Sequence, residues 1–193
     1  MDPSELLRLL VETLERLDIK YAITGGFAAI AYSEFRTTQD IDVVIDIRYG
    51  QVDPLREAFG GEDFYLAEEA MRHAVAHGGM FNVIHLPSGL KLDLTISKLE
   101  PVDEIRFSRR ERVEIGGVEA WLLSPEDVIL SKLEWVRMGA GEKQLRDCAS
   151  IVRVQGPDLD RAYIAQWAPR LGVERLWERV REVADRPDDP PGR

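Results

Sequence analysis

Apolar residues first recur at helical spacing. Leu6, Leu7, Leu10, Leu14 and Leu17 line one side, with Glu12, Glu15 and Arg16 on the other. Asp2 suits the cap, Pro3 the first helical position and Glu5 the capping-box position, and the pattern ends near Asp18. Residues 21–24 are short, β-prone and followed by Gly25-Gly26, which predicts a strand stopping at a glycine turn. An alanine-rich run predicts a short helix over 27–35, and β-branched residues predict a strand over 41–45. Helices are expected over 53–59, ended by Gly60-Gly61, and over 68–76. Residues 80–86 and the strictly alternating 90–96 form a hairpin about Pro87-Ser88-Gly89. A second hairpin pairs 112–115 with 118–123 about Gly116-Gly117. After Ser124-Pro125-Glu126-Asp127, where Ser124 suits a cap and Asp127 the acidic position three along, helices are expected over 126–138, 142–155, 158–168 and 172–184.

This order predicts an α+β fold: a mixed sheet with flanking helices over residues 1–123, a helical part over 124–185, and a proline-rich, charged, disordered tail over 186–193. The length of 193 residues suits one domain, or one with a small helical appendage. Charged residues make up 31% and hydrophobic residues 45%, which is ordinary for a globular protein. No apolar run spans a bilayer and no secretory signal opens the chain, so the expectation is a cytoplasmic protein without membrane partners. The lone cysteine, Cys148, falls in a helical pattern and reads as a core residue. A net charge of −10 argues against a bulk nucleic-acid binder. Arg106, Arg109, Arg110 and Arg112 still cluster in one stretch, either as a solvated loop or strand edge or as a patch steering a tRNA or a nucleotide.

Three features carry candidate chemistry. Gly25-Gly26 between strand and helix lets backbone approach a phosphate. Asp40 and Asp42 lie two apart on a strand and share a face, while Ile41, Val43 and Ile45 face the core. Two such carboxylates repel unless a cation sits between them, and hard oxygen donors suit magnesium; the alternative is an acidic strand edge. Asp93 stands with Lys91 and Thr95 on the polar side of its strand. It is either ordinary strand polarity or, if that strand lies beside Asp42, a third carboxylate that could serve as a base. The catalytic reading needs the three carboxylates to converge.

Taken in order, Gly25-Gly26, Arg36-Thr37-Thr38-Gln39-Asp40-Ile41-Asp42 and Lys91-Leu92-Asp93-Leu94 resemble the signature of the polymerase-beta-like nucleotidyltransferase superfamily. Stand-alone bacterial enzymes of the AbiEii type are the nearest in pattern. Their Ser-Pro-Glu-Asp helix with an inward lysine is similar to residues 123–133, and their later Arg-Asp helix to Gln144-Leu145-Arg146-Asp147. The resemblance covers most of residues 20–150. It implies a polymerase-beta-like core and Mg2+-dependent transfer of NMP from NTP to an acceptor hydroxyl on a tRNA, a protein or a small molecule. Asp40, Asp42 and Asp93 would hold the metal. Gly25, Gly26, Arg36, Thr38 and Lys132 would contact the nucleotide, and Lys132 would join the three carboxylates in catalysis. Many such enzymes are toxins, so an antitoxin partner is implied as well. Ser33 and Ser150 depart from the pattern, which holds a glycine and an aspartate there, and Ser150 weakens a role for Asp147.

Two readings of other classes compete: a nucleotide- or partner-binding module of the same fold without turnover, and an acidic interaction protein. His73 and His77, four apart, lack the further ligands of a zinc site. Trp121, Trp135, Trp167 and Trp177 sit at apolar positions and read as core.

Overall fold

The computed structural model describes residues 1–33, 40–98, 100–139 and 141–185. Two compact units result. Of the described residues, one unit holds those up to Ala31 and from Asp40 to Ser124; the other holds Tyr32, Ser33 and those from Pro125 to Asp185. The expected tail at 186–193 lies outside the described residues.

The first unit opens with helix α1 (Pro3–Arg16), whose capping box forms as its sequence predicts: Asp2 Oδ1 accepts the Glu5 N–H, and Glu5 accepts the Asp2 N–H. Asp18 adopts φ +52 and ends the helix, and Gln51 Nε2 donates to the carbonyls of Leu17 and Asp18. Leu6, Leu7, Leu10 and Leu14 are fully buried, each stabilising the unit by roughly 1.5–3 kcal/mol. Seven strands follow: β1 (Lys20–Ile23), β2 (Asp40–Asp46), β3 (Phe64–Leu66), β4 (Gly79–His85), β5 (Leu90–Ile96), β6 (Glu111–Ile115) and β7 (Val118–Leu122). Their order in one sheet is β3-β4-β5-β2-β1-β7-β6. The pairs β2–β5 and β1–β7 are parallel and the rest antiparallel, so the sheet is mixed as expected.

Helices α2 (Gly25–Tyr32), α3 (Val52–Ala58), α4 (Glu68–His77) and α5 (Pro101–Ser108) connect the strands. α1 packs on β1 and β7, and α4 on β4 and β5. Ile41, Val43 and Ile45 of β2 are fully buried, while Asp40 is exposed and Asp42 and Val44 half-buried, as period-two alternation requires. Gly116 and Gly117 both take positive φ, the geometry a two-residue primed turn demands. Two elements escape the sequence pattern. β3 is a three-residue edge strand, too short to show alternation. α5 has no fully buried residue, so it shows no apolar stripe; Pro101 followed by Asp103 and Glu104 was its usable start signal.

The second unit contains α6 (Pro125–Arg137), α7 (Lys143–Gln155), α8 (Arg161–Trp167) and α9 (Glu174–Ala184), with α7 packed on α6 and α9, and α8 on α6. Glu126 and Asp127 are buried and hold α8: a Glu126 oxygen accepts the Asp160 N–H at 2.9 Å, and Asp127 Oδ1 accepts the Tyr163 hydroxyl at 2.9 Å. Cys148 is fully buried, and burial pushes its thiol up to about 12. Trp177 is core, but Trp135 is 52% exposed, a correction to its expected burial. It lies in the last turn of α6, beyond Leu133, the last buried residue of that helix.

Candidate active site

β2 and β5 run parallel with Asp42 directly beside Asp93 and Asp40 beside Lys91. Residues paired across a sheet share a face, so Asp40, Asp42, Lys91 and Asp93 project together. A shift of one residue would send Asp93 into the core and Leu92 outward. The core packing of Ile41, Val43, Leu92 and Leu94 therefore enforces the juxtaposition of the acidic residues.

The glycine turn meets this face from β1. Thr24 N–H donates to the Asp42 carbonyl, and the Thr24 carbonyl receives the Ala28 N–H at the start of α2. The two glycines are the first residues of that helix, not a turn ahead of it, because Gly25 reaches helix entry at φ +61. A Cβ on Gly25 would lie 1.9 Å from Asp42 Oδ2. The Gly26 N–H donates to the same oxygen at 3.3 Å. Bare backbone is thus packed directly on the Asp42 carboxylate, which no other residue type permits at Gly25.

Asp93 is nearly buried. Its Oδ2 lies 2.9 Å from Lys91 Nζ, and its Oδ1 accepts a hydrogen bond from Asn82 Nδ2. Lys91 Nζ is also 4.0 Å from Asp40 Oδ1. The Asp93 hydrogen bond, with the charges of Asp93, Asp40 and Asp42, raises the Lys91 pKa against a desolvation that lowers it. Among the described residues, no three acidic, histidine or cysteine side chains are gathered as a metal shell. Asp42 and Asp93 are side by side, but Asp93 is turned to a lysine. Lys91 is the residue that sequence reasoning left as strand polarity; its place two positions before Asp93 was the available signal.

Of the other expected site residues, Arg36 and Thr38 lie outside the described residues. Lys132, in the second unit, is buried, and its Nζ donates to Asp147 Oδ2 at 2.9 Å and Gln144 Oε1 at 2.8 Å. Asp147 thereby acquires a partner within its own unit. His73 and His77 stack at 4.5 Å, with His77 Nδ1 against the His73 carbonyl. The arginine cluster is split between α5 and β6. Arg106 pairs with Asp103, Arg110 lies 4.7 Å over the Trp121 ring, and Arg112 pairs with Glu15 and Glu119. A cavity of about 510 Å³ bordered by Lys20, Asp46, Ser97, Glu104, Arg110 and Trp121 opens at the far end of β1 and β2. None of the four acidic-face residues lines it, and volume alone is a poorer guide to chemistry than the register of β2 and β5.

The mixed sheet, its Asp-x-Asp strand, the aspartate beside that strand and the glycine-led helix against it are the features on which the resemblance to nucleotidyltransferases rests. Over residues 3–161 the chain belongs to the family described as "Nucleotidyltransferase of unknown function (DUF6036)". No curated protein matches it. Solved structures share the fold, among them the following three. An antigenic nucleotidyltransferase-like protein from Paracoccidioides brasiliensis is 21% identical, covering 90% of this chain and 91% of its own, with a TM-score of 0.54. ANT(2″)-Ia in complex with adenylyl-2″-tobramycin is 15% identical, covering 93% and 97%, at 0.56. The lincosamide antibiotic adenylyltransferase LnuA, lincomycin-bound, is 11% identical, covering 80% and 98%, at 0.54. No described helix is long and apolar enough to cross a membrane.

Proposed function

We propose that the chain transfers an NMP from a nucleoside triphosphate to an acceptor hydroxyl, with the carboxylates of Asp40, Asp42 and Asp93, not gathered as a shell while Lys91 occupies Asp93, turning together to hold Mg2+. The observation that carries this is the placement of Asp42 beside Asp93, with Gly25 packed against the Asp42 carboxylate. The donor type suits the ion: hard carboxylate oxygens on adjacent positions of one face. When bound, Mg2+ supplies charge neutralisation of the triphosphate and its leaving group. Asp42 is held in place by the Gly26 N–H and by the absence of a side chain at Gly25. Asp93, steadied by Asn82, takes the proton of the acceptor hydroxyl as its oxygen bonds to the α-phosphorus. The bond from the α-phosphorus to the bridging oxygen breaks, and pyrophosphate leaves.

Gly25 and Gly26 head α2, whose N-terminus favours phosphate, although the Gly26 N–H is already given to Asp42. In the same reading Arg36 and Thr38 contact the nucleotide. Lys132 is held within the second unit by Gln144 and Asp147. The acceptor class follows from the resemblance: tRNA, protein or small molecule. Two of the similar folds carry antibiotics, so hydroxylated antibiotics are the first acceptors to try. The likeness to AbiEii-type toxins adds growth arrest on expression, relieved by an antitoxin, as an outcome to test.

The deciding experiment incubates the chain with each labelled NTP, Mg2+ and either cell extract or an antibiotic panel, comparing wild type with Asp42→Asn. Label transfer by wild type, reduced at least about a thousandfold in the variant, is expected. A chain that binds nucleotide but transfers none to any acceptor is instead a binding module. The Lys91–Asp93 pair is the observation that favours that alternative.

A further inference from the structure

We infer that Lys91 is the resident counter-ion of the acidic face, and that a divalent cation binds there by displacing its ammonium. This rests on the reading of that face as a cation site. Asp40, Asp42 and Asp93 are brought onto adjacent positions by the register of β2 and β5, and unscreened they repel. Lys91 Nζ answers two of them, at 2.9 Å from Asp93 Oδ2 and 4.0 Å from Asp40 Oδ1. It occupies Asp93 Oδ2, an oxygen that a bound cation would need.

The two partners of Asp93 differ in what they allow. Asn82 is neutral and donates to Oδ1, whose remaining lone pair stays free for another ligand, so it can persist as an orienting partner of a metal-bound carboxylate. Lys91 is a full positive charge on Oδ2 and cannot share that oxygen with a dication at contact distance. It can leave: its side chain is 33% exposed, on a flexible four-carbon stem that reaches water. Metal-free and metal-loaded faces then each carry a cation that offsets part of the carboxylate charge. The cost falls on affinity, because each ion that binds must first expel the lysine.

The test compares wild type, Lys91→Met and Lys91→Arg for Mn2+ binding by electron paramagnetic resonance, and for melting temperature with and without Mn2+. Lys91→Met keeps the stem and removes the charge. It should bind Mn2+ about tenfold more tightly than wild type. It should melt lower without metal and gain more from added Mn2+ than wild type does. Lys91→Arg keeps the charge and should stay within about threefold of wild type, a result still readable should the methionine variant fold poorly. Equal or weaker Mn2+ binding by a folded Lys91→Met, or tighter binding by Lys91→Arg, overturns the inference while leaving the metal reading intact. Mn2+ binding by none of the three chains overturns both.

Discussion

Replacing Gly25 with alanine tests the central packing of the site. The added Cβ would fall 1.9 Å from Asp42 Oδ2, 2.4 Å from its Cγ and 2.6 Å from its Cβ, well inside any tolerable contact. The carboxylate has to rotate off its rotamer or the helix entry has to retreat. Three costs add. A side chain at φ +61 costs about 1–2 kcal/mol. Forcing Asp42 from its staggered conformation costs about 1 kcal/mol. Losing the Gly26 N–H to Asp42 costs about 1 kcal/mol. A destabilisation of about 3 kcal/mol lowers the melting temperature by about 10 °C in a chain of this size. Because Asp42 itself moves, label transfer should fall by about a hundredfold or more even at temperatures where the variant is folded. Thermal melting by circular dichroism and the labelled-nucleotide assay read the two effects separately. Gly50→Ala is the control: its Cβ would meet nothing within 4 Å, and its stability should stay within about 0.5 kcal/mol. A Gly25→Ala chain that melts within about 2 °C of wild type, with full transfer activity, would refute the packing argument.

Lys132→Met removes a buried ammonium that donates to Asp147 and Gln144 and should cost about 1.5–3 kcal/mol in urea unfolding. A variant of wild-type stability would show that the lysine is solvated. Tyr163→Phe removes the donor to buried Asp127 and should cost about 1–3 kcal/mol by the same measurement. Burial raises the Cys148 thiol from 9.0 to about 12, so the folded chain keeps its proton where the unfolded chain loses it. The stability this thiol contributes is therefore complete below about pH 9 and falls as pH rises toward 12. Alkylation of Cys148 by iodoacetamide should proceed only at the global unfolding rate, and labelling of the native chain at pH 8 faster than that rate would contradict the burial.

Much of the site is written locally in the chain. The alternation of Asp40, Ile41, Asp42 and Val43 determines which side chains face the core and which the opposite side, because a strand's side chains alternate whatever lies beside it. The capping box of α1 and the Gly116-Gly117 turn are equally local, depending on residues three or fewer apart. Local pattern could not say which strand lies against β2. That Asp93, fifty residues on, stands beside Asp42 follows from the parallel pairing of β5, which the burial of Leu92 and Leu94 enforces. It could not show that Gly25 is a glycine because of a carboxylate on another strand. Lys132 and Lys91 make the same point from opposite sides. As isolated letters both are polar residues beside an apolar stripe. One is buried against Asp147 and the other is the counter-ion of Asp93 and Asp40. Periodicity acts through the backbone of a single element and is carried by the sequence alone. The partner of a charge depends on which distant elements pack together, and only the tertiary structure decides that.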